Sequence, residues 1–447
     1  MDNKTIYALS TVFGKSGVAI IRISGNSAQN VIKYMTDLDV RNIKPRYAYF
    51  ATLHHSVNNQ TLDKCLLLYF KAPNSFTGED IVELQVHGSR AVIESVIDSL
   101  SQIPDFRLAE AGEFSKRAFY NQKMDLTEAE GLADLIDAET SEQQKYAVRQ
   151  MEGGLKNLYD GWRQTLVNVL AHLEAYIDFP DEDIPQDITS GMQNTVFKLI
   201  EDIKKHLNDN QSGERLREGF RVVLVGPPNA GKSSLLNAIA QREAVIVSDI
   251  AGTTRDAIDI HLNLGGYPVI FTDTAGLRET EETIEQKGIE IAQSKIKEAD
   301  MVICLFDALT DSVQRFEDTI KRFKNKTLLV ANKSDKLTSE QCSDLQKQGS
   351  VVISAHQPES VKKLLQLVES EIKSKFTSGS NLLITRSRYR EALHNVLEYL
   401  ASFSFDKEIE LTAEDIRLAV RELGKITGRV EVDEILDKIF GSFCIGK

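Results

Sequence analysis

The feature that most restricts the fold of this chain is a glycine-rich loop between a short apolar strand and a helix. The strand is expected at Arg221–Val225, and the loop from Gly226 to Ser233 has the P-loop pattern Gly-x-x-x-x-Gly-Lys-Ser. A helical segment follows from Ser234. Backbone N–H groups of such a loop point at phosphate oxygens at the start of the helix. The sequence therefore predicts a phosphate site in which Lys232 contacts the β- and γ-phosphates and the Ser233 hydroxyl binds Mg²⁺.

Two elements that could sense the metal ion and the γ-phosphate follow this loop. Asp273-Thr274-Ala275-Gly276 ends the apolar strand Val269–Thr272, so that its carboxylate can reach the metal shell. The N–H group of Gly276 could then sense the γ-phosphate. Gly252-Thr253-Thr254-Arg255 lies between the P-loop and this strand, where a switch loop would place Thr254 on Mg²⁺.

Two further elements predict recognition of guanine. Asn332-Lys333-Ser334-Asp335 follows the apolar strand Thr327–Ala331. An aspartate at the last position can accept hydrogen bonds from both N1–H and the exocyclic amine of guanine, a donor pair that adenine lacks. Ser354-Ala355, after the strand Val351–Ile353, matches the last guanine loop. Five elements in this order and spacing predict that the chain binds GTP.

The residues that would position the attacking water are less ordinary. Ras-like switches carry a glutamine directly after the Asp-x-x-Gly element, whereas this chain has Leu277, which cannot orient water. Hydrolysis therefore needs either outside help or another residue. Glu285 is the candidate, although it lies in an acidic run that a solvated loop also explains. The run consists of Glu279, Glu281, Glu282 and Glu285.

The sequence on both sides of the nucleotide-binding segment indicates other folds. Residues 1–118 alternate strand-length apolar runs with helical segments, which predicts an N-terminal α/β domain. Residues 119–216 and 375–447 carry apolar residues at three- and four-residue steps, which predicts helices. We therefore expect an α/β and all-α multidomain chain, in which a P-loop (Ras-like) GTPase domain at 217–374 is inserted into a discontinuous helical domain.

Individual elements can also be predicted. Thr412 and Asp415 resemble a capping box that would begin a helix. The strands expected in the N-terminal domain are Thr5–Ser10, Val18–Ser24, Tyr47–His54, Cys65–Lys71 and Ile81–His87, and its helices are Asn26–Met35 and Ala91–Ser101.

Charge and apolar runs narrow the possible partners. The net charge of −13 argues against a protein that coats nucleic acid, because neutralising phosphates requires clustered Lys and Arg. Two local basic clusters, Lys321–Lys326 and Arg386–Arg390, fit a solvated helix face as well as they fit an RNA contact. The longest apolar runs, such as Cys65–Phe70 and Met301–Phe306, have the length of buried strands, so we expect no membrane partner.

The termini and cysteines indicate a cytoplasmic protein. Met1–Ser10 lacks a basic region followed by an apolar stretch, so we do not expect export. The cysteines are scattered without metal-ligand spacing, as is usual in a reducing compartment. They are Cys65, Cys304, Cys342 and Cys444.

The order of these segments, the nucleotide elements with Leu277 and the ending Phe443–Lys447 closely resemble the MnmE (TrmE) family of tRNA modification GTPases. Asn74–Asp80 and Gly112–Phe119 are similar to motifs of its N-terminal domain. The resemblance covers essentially the whole chain. It implies that the N-terminal domain forms a homodimer with a reduced folate (5-formyl- or methylene-tetrahydrofolate) at the interface. The implied folate-binding residues are Arg22, Glu83, Lys123 and Lys447.

The same resemblance implies a GTPase that is activated by K⁺ and by dimerisation of its GTPase domains. The implied K⁺ ligands are Asn229, Ser248, Ile250 and Thr253, and the implied catalytic residues are Glu285, Asn229 and Lys232. The full set expected around the nucleotide is Asn229, Ala230, Gly231, Lys232, Ser233, Ser234, Ser248, Asp249, Ile250, Ala251, Gly252, Thr253, Thr254, Asp273, Thr274, Ala275, Gly276, Asn332, Lys333, Asp335, Ser354 and Ala355.

The resemblance also implies a flavoprotein partner, MnmG, and tRNA as the substrate. Together the two proteins would add a carboxymethylaminomethyl or aminomethyl group to carbon 5 of the wobble uridine of certain tRNAs, with the folate supplying one carbon. The resemblance implies that FAD belongs to the partner, which is consistent with the absence of a Gly-x-Gly-x-x-Gly fingerprint after a strand in this chain.

Two other functions are compatible with parts of the sequence. A GTP-dependent ribosome-assembly switch would share the nucleotide elements, but it should carry a basic RNA-binding appendage. A free-standing folate enzyme would leave the nucleotide site unexplained. The thiol of Cys444 fits a nucleophile and a buried packing residue about equally well.

Overall fold

The structure is a computed structural model that describes residues 3–179, 186–208, 211–241, 259–273, 295–316, 327–377, 383–430, 433–443 and 445–446. The chain divides into two compact units. One unit contains Met1–Ala133, Met151–Gly161 and Leu423–Lys447, and the other contains Asp134–Gln150 and Trp162–Glu422. These two units do not correspond to the domains expected from the sequence, whose boundaries near residues 118, 216 and 374 stay predictions.

The N-terminal part of the chain forms a six-stranded sheet with helices. The elements are β1 (Thr5–Leu9), β2 (Ser16–Ser24), α1 (Asn30–Met35), β3 (Ala48–His54), β4 (Thr61–Phe70), β5 (Ile81–Gly88), α2 (Arg90–Ser101), β6 (Phe106–Leu108), α3 (Glu113–Tyr120) and α4 (Leu126–Ile136). The strand order is β3-β4-β5-β2-β1-β6, and neighbouring strands are antiparallel except for the parallel pair β1 and β6. All five strands and both helices expected here are present, but α1 begins at Asn30, four residues later than expected, because residues 26–29 form turns. β6 and α3 are additions.

The two faces of this sheet differ in burial because side chains alternate along each strand. Ile21, Leu67 and Leu84 point into a core that also contains helix residues such as Val31 and Val96. On the opposite face, Phe50 of β3 lies directly across from Leu66 of β4. These two side chains are 69% and 42% exposed, so the edge of this face presents apolar surface.

The rest of the chain continues with helices, then a second six-stranded sheet, then helices again. A complete capping box, formed by Thr338 and Gln341, precedes the helix that starts at Ser339. The elements are α5 (Ser141–Met151), α6 (Gly154–Asp178), α7 (Gln186–Leu207), α8 (Ser212–Glu218), β7 (Phe220–Val225), α9 (Lys232–Ala240), β8 (Asp259–Leu264), β9 (Tyr267–Asp273), β10 (Met301–Asp307), β11 (Thr327–Asn332), α10 (Ser339–Lys347), β12 (Val351–Val352), α11 (Pro358–Thr377), α12 (Ser387–Ala401), α13 (Ile409–Thr427) and α14 (Asp433–Gly441).

The second sheet has the order β12-β11-β10-β7-β9-β8. β7 and β9 to β12 are parallel, and β8 joins β9 in an antiparallel hairpin. In a parallel sheet the carboxyl ends of the strands meet at one edge, where ligands bind in open α/β folds. Four of the expected nucleotide elements begin at such strand ends. The fold class is thereby confirmed as α/β combined with helical segments and a P-loop α/β part.

One local expectation was wrong. α13 starts at Ile409, so Thr412 lies inside the helix and does not cap it. Its hydroxyl donates a hydrogen bond to the carbonyl of Ser404 at 2.7 Å, and Asp415 forms an ion pair with Lys407. Because both side chains have other partners, the capping box does not form.

Within the described ranges, no helix combines the length and the apolar character that crossing a bilayer requires.

Candidate functional site

The loop after β7 is shaped for a close approach of backbone to phosphate. A Cβ at Gly226 would lie 2.0 Å from the carbonyl oxygen of Leu305, so only glycine fits. Asn229 and Gly231 have φ values of 63° and 97°, which place both in the left-handed region. Such turns direct successive N–H groups into one concavity that binds anions. Gly231 then caps α9, whose first residue is Lys232.

Lys232 lies over this loop in a buried position. Its Nζ donates hydrogen bonds to the carbonyls of Gly226 and Pro227 at 2.9 and 3.0 Å. The side chain is only 7% exposed, so the ammonium is directed into the loop and away from bulk solvent. A point charge in this position suits the β- and γ-phosphates.

A hydroxyl and a carboxylate meet next to the loop. The Ser233 Oγ donates to Oδ2 of Asp273 at 3.4 Å, and Asp273 is buried at the end of β9. β9 is paired in parallel with β7, so the two strand ends bring these oxygens together. Oxygen donors of this kind fit Mg²⁺, which prefers a carboxylate with substrate phosphates. No cluster of three or more His, Cys, Asp or Glu side chains suited to a metal occurs in the described residues.

The predicted guanine element that begins at Asn332 is joined to the P-loop by one buried amide. Nδ2 of Asn332 donates to the carbonyl of Ala230 at 2.8 Å, and Oδ1 accepts from the N–H of Ala355 at 3.0 Å. These contacts bring together three of the predicted elements. A hydrogen bond from Ser354 holds the pKa of Asp335 below its ordinary value, so this carboxylate is ionised near neutral pH and can accept from guanine.

Two side chains near this element were not predicted. Asp307, at the end of β10, forms a 2.6 Å ion pair with Lys333, whose φ is 68°. Burial is the largest single influence and raises the pKa of Asp307, but the hydrogen bonds from Lys333 and the Leu309 N–H, with the nearby lysine charges, together outweigh it and the pKa is lowered. His356 lines a cavity of about 350 Å³ together with Ser234 and Ala355. Asp307 could have been predicted as a site residue, because it lies at the end of an apolar strand. No pattern in the sequence indicates a similar role for His356.

Several expected site residues lie outside the described residues, so their assignments stay predictions. Leu277 and the acidic run with Glu285 belong to this group, as do most of the expected K⁺ ligands. The residues are Ser248, Asp249, Ile250, Ala251, Gly252, Thr253, Thr254, Arg255, Thr274, Ala275, Gly276, Leu277, Glu279, Glu281, Glu282, Glu285, Cys444 and Lys447.

A second cluster lies in the N-terminal unit and contains three of the expected folate residues. Arg22 and Glu83, opposite each other on β2 and β5, form an ion pair at 2.9 Å. The Arg22 guanidinium lies 5.6 Å from the centre of the Phe76 ring and 5.8 Å from that of Phe114. Nζ of Lys123 donates to the carbonyl of Pro73 at 2.9 Å, in the loop that leads to Phe76.

The two N-terminal motifs are held together by a buried ion-pair network. Arg117 donates to Glu79 at 3.1 Å and to Glu113 at 3.0 Å. Burial is the largest single influence and raises the pKa of Glu113, but the hydrogen bonds from Arg107, the Glu110 N–H and Arg117 together outweigh it and the pKa is lowered. The network fixes the loop Asn74–Asp80 against α3.

The C-terminal tail packs against the same sheet. The carbonyl of Gly446 accepts from Ser10 Oγ at 3.0 Å, and Ile445 bridges Ala111. Gly446 has a φ of 94°, and a Cβ there would lie 2.2 Å from the carbonyl of Leu9. This end of β1 pairs with the segment of β2 that carries Arg22, which brings the residue before Lys447 to the sheet of the folate cluster.

The basic cluster at 386–390 is largely neutralised. Arg386 pairs with Asp134 at 2.8 Å, and Arg390 pairs with Glu214 at 3.3 Å. These contacts favour a role in packing over an RNA contact. The cluster Lys321–Lys326 lies outside the described residues.

Comparison with known proteins gives consistent matches along the chain. The family model described as the GTP-binding protein TrmE N-terminus matches residues 5–123, and that of the MnmE helical domain matches residues 126–444. Among solved structures, an Era variant of Aquifex aeolicus bound to GDP·AlF4⁻ is similar with a TM-score of 0.27 and 23% identity, over 50% of this chain and 98% of that chain.

Two relatives match along their whole length. The tRNA modification GTPase MnmE of Rickettsia bellii is 46% identical over 446 residues, which cover 99% of this chain and 100% of the relative. That of Wolbachia pipientis subsp. Culex pipiens is 46% identical over 449 residues, which cover 100% of this chain and 99% of the relative. With both family models and both relatives in agreement, this chain belongs to the MnmE family of tRNA modification GTPases.

Proposed function

We propose that this chain hydrolyses GTP and uses the cycle to support modification of the wobble uridine of certain tRNAs. The observation that carries the proposal is the buried Asn332 amide, which joins the P-loop to the two guanine elements at 2.8 and 3.0 Å. This arrangement holds the phosphate-binding and base-binding parts of one guanine-nucleotide site at a fixed separation.

Charged and polar groups of the described site have separate tasks in hydrolysis. Lys232 would contact the β- and γ-phosphates, and Ser233 with Asp273 would hold Mg²⁺ directly or through water. Asp335 would select guanine by accepting two hydrogen bonds. Mg²⁺ and K⁺, when bound, supply positive charge where negative charge develops in the transition state.

The K⁺ and water-positioning assignments complete the proposal. Asn229 would offer its side-chain oxygen to K⁺, together with Ser248, Ile250 and Thr253, and Thr254 would join the Mg²⁺ shell. The left-handed backbone of Asn229 supports this, because it places the residue inside the loop that surrounds the phosphates. Glu285 would orient the attacking water when two GTPase domains meet.

A reduced folate would bind in the N-terminal unit. The side chains present fit this ligand. A pterin carries adjacent N–H groups that can donate hydrogen bonds to a carboxylate such as that of Glu83. The ion pair with Arg22 holds this carboxylate in place. Lys123 and Lys447 would supply positive charge. Phe50 and Leu66, which face each other across β3 and β4, are exposed and give this unit apolar surface that a homodimer contact would cover.

In the cell, the chain would act in the cytoplasm with the flavoprotein MnmG and tRNA, without a membrane partner. MnmG would bring FAD, and the folate would supply one carbon for the group added at carbon 5 of the uridine. We place the domains at 1–118 for folate binding and dimerisation, 119–216 and 375–447 for the helical body, and 217–374 for the GTPase.

Mass analysis of wobble uridines from cells that lack this chain tests the proposal. We expect the carboxymethylaminomethyl and aminomethyl forms to disappear and to return on complementation with the intact gene. Unchanged modified nucleosides in the deletion strain would exclude a role in this modification.

A further inference from the structure

We propose that Arg46 and Lys123 form an anion subsite that binds the glutamate carboxylates of the folate. The inference rests on the folate assignment of the proposed function and specifies which end of that ligand each group recognises. Arg46 carries no earlier assignment in this chain.

The two cations line one cavity. Its volume is about 500 Å³, and its walls are Arg46, Phe70, Asn74, Ser75, Phe76 and Lys123. The Arg46 guanidinium donates to the carbonyl of Asn74 at 2.9 Å, and Lys123 Nζ donates to that of Pro73 at 2.9 Å. Consecutive carbonyls of one loop therefore hold both positive groups at the cavity.

Neither cation is neutralised by a carboxylate in the described part of the chain. Other basic residues of the same unit are neutralised by carboxylates. Arg22 pairs with Glu83, Arg107 pairs with Glu113, and Lys116 pairs with Asp437. In a chain of net charge −13, two unneutralised cations at one cavity form a local positive site. A ligand with carboxylates would complement it, since guanidinium binds carboxylates through charge-assisted hydrogen bonds.

The backbone holds both side chains in position. Arg46 has a φ of 65°, and its N–H donates to the carbonyl of Tyr69 at 2.8 Å. Non-glycine residues in this conformation persist where the surroundings fix them, and they concentrate at ligand sites. The Lys123 stem passes Gly78, where a Cβ would lie 3.3 Å from it. A residue with a side chain at Gly78 would displace Lys123.

Phe76 connects this cavity to the pair of Arg22 and Glu83. Its ring forms part of the cavity wall and also lies 5.6 Å from the Arg22 guanidinium. A folate has the same order of groups: a donor-bearing pterin, an aromatic ring, and then a glutamate with two carboxylates. We therefore place the pterin at Glu83, the aromatic ring by Phe76, and the glutamate at Arg46 and Lys123.

Equilibrium titration of the full chain with three ligands tests this placement. The ligands are 5-formyl-tetrahydrofolate, its triglutamate form, and 5-formyl-tetrahydropteroate, which lacks the glutamate. The wild type should bind the glutamate form at least about tenfold more tightly than the pteroate, the scale of one or two hydrogen bonds between charged groups. It should bind the triglutamate at least as tightly as the monoglutamate.

The variants separate the two ends of the ligand. Arg46→Asn, which tolerates the left-handed backbone, should lose most of the preference for the two glutamate-bearing ligands over the pteroate, with Lys123 keeping the remainder. Arg46→Lys should recover part of the preference. Lys44→Asn removes a nearby cation that does not line the cavity and should leave the preference unchanged. Glu83→Gln should weaken all three ligands together, and circular dichroism confirms that each variant is folded.

Each outcome decides between the two claims. If the wild type binds none of the three ligands, both the folate assignment and this subsite are wrong. If it binds the glutamate form and the pteroate equally, or if folded Arg46→Asn keeps the full preference, folate binding stands and the subsite is wrong.

Discussion

The side-chain amide of Asn332 donates to the carbonyl of Ala230 at 2.8 Å, across 102 positions of sequence. The oxygen of the same amide accepts from the N–H of Ala355 at 3.0 Å. One side chain, 2% exposed, therefore satisfies a backbone group in the P-loop and another in the last guanine loop. Because both hydrogen bonds are buried, they hold the P-loop and the last predicted guanine loop, the proposed phosphate and base ends of the site, relative to each other.

We expect Asn332→Ala to weaken nucleotide binding by roughly 10- to 100-fold, because it leaves two buried backbone groups without partners at about 1–3 kcal/mol each. Titration with a fluorescent GDP analogue measures the nucleotide affinity, and thermal unfolding measures the stability of the folded protein. Asn263→Ala, which loses one hydrogen bond in the β8–β9 hairpin, controls for general destabilisation. Equal affinities for Asn332→Ala and the wild type would show that the amide does not couple the two ends.

Hydrolysis should require K⁺, and Na⁺ should fail to replace it, because Leu277 cannot position water and the Asn229 oxygen is expected to bind the ion. Phosphate release in KCl and NaCl of equal ionic strength measures this. Asn229→Gly removes the oxygen without opposing the backbone φ of 63°, so it should bind nucleotide and lose the K⁺ response. Equal turnover in the two salts would contradict the K⁺ assignment.

Glu285→Ala should slow hydrolysis by roughly two to four orders of magnitude, the scale of a general-base or water-positioning group. GTP affinity should stay nearly unchanged, because a carboxylate near a triphosphate would act through water and not by direct contact. Single-turnover hydrolysis and nucleotide titration separate these effects. Glu281→Ala and Glu282→Ala are the controls. The same modest decrease in hydrolysis rate in all three variants would show that Glu285 has no specific role in positioning water.

Gly446→Ala should weaken folate binding by roughly tenfold or more, because a Cβ would lie 2.2 Å from the carbonyl of Leu9 and the φ of 94° disfavours alanine. Displacing Gly446 would disturb the tail next to Lys447, which is proposed to bind the folate. Gly441→Ala is the matched control, since a Cβ there meets nothing within 4 Å. Folate titration measures both variants, and unchanged binding by Gly446→Ala would exclude the tail from the site.

The nucleotide elements could be predicted because each is a short contiguous pattern that starts at the end of an apolar strand. The contacts between them could not. Asp307 and Asn332 are adjacent only because β10 and β11 pair in parallel register, and this pairing places Lys333 beside Asp307. Sequence spacing does not specify that register.

Local patterns failed where longer-range partners competed for the same side chains. Thr412 and Asp415 resemble a capping box, yet Ser404 and Lys407 hold them inside the helix. A ligand-binding role for Arg46 could not be predicted from the sequence. A single surface cation becomes a candidate binding residue only when separate loops form a cavity beside it. The neighbouring pair of Arg22 and Glu83 was implied by the family and not by spacing.

The most direct test of the account is the base preference of Asp335→Asn. The carboxylate is expected to accept from N1–H and the 2-amino group of guanine, whereas an asparagine can accept from N1–H and donate to the 2-oxo group of xanthine. Titration of wild type and variant with GTP and XTP measures this, with Asp344→Asn, an exposed aspartate of α10, as the control for loss of charge. Asp335→Asn should lose at least about 100-fold in GTP affinity and should bind XTP more tightly than GTP. Unchanged GTP affinity in Asp335→Asn would contradict the guanine-nucleotide site.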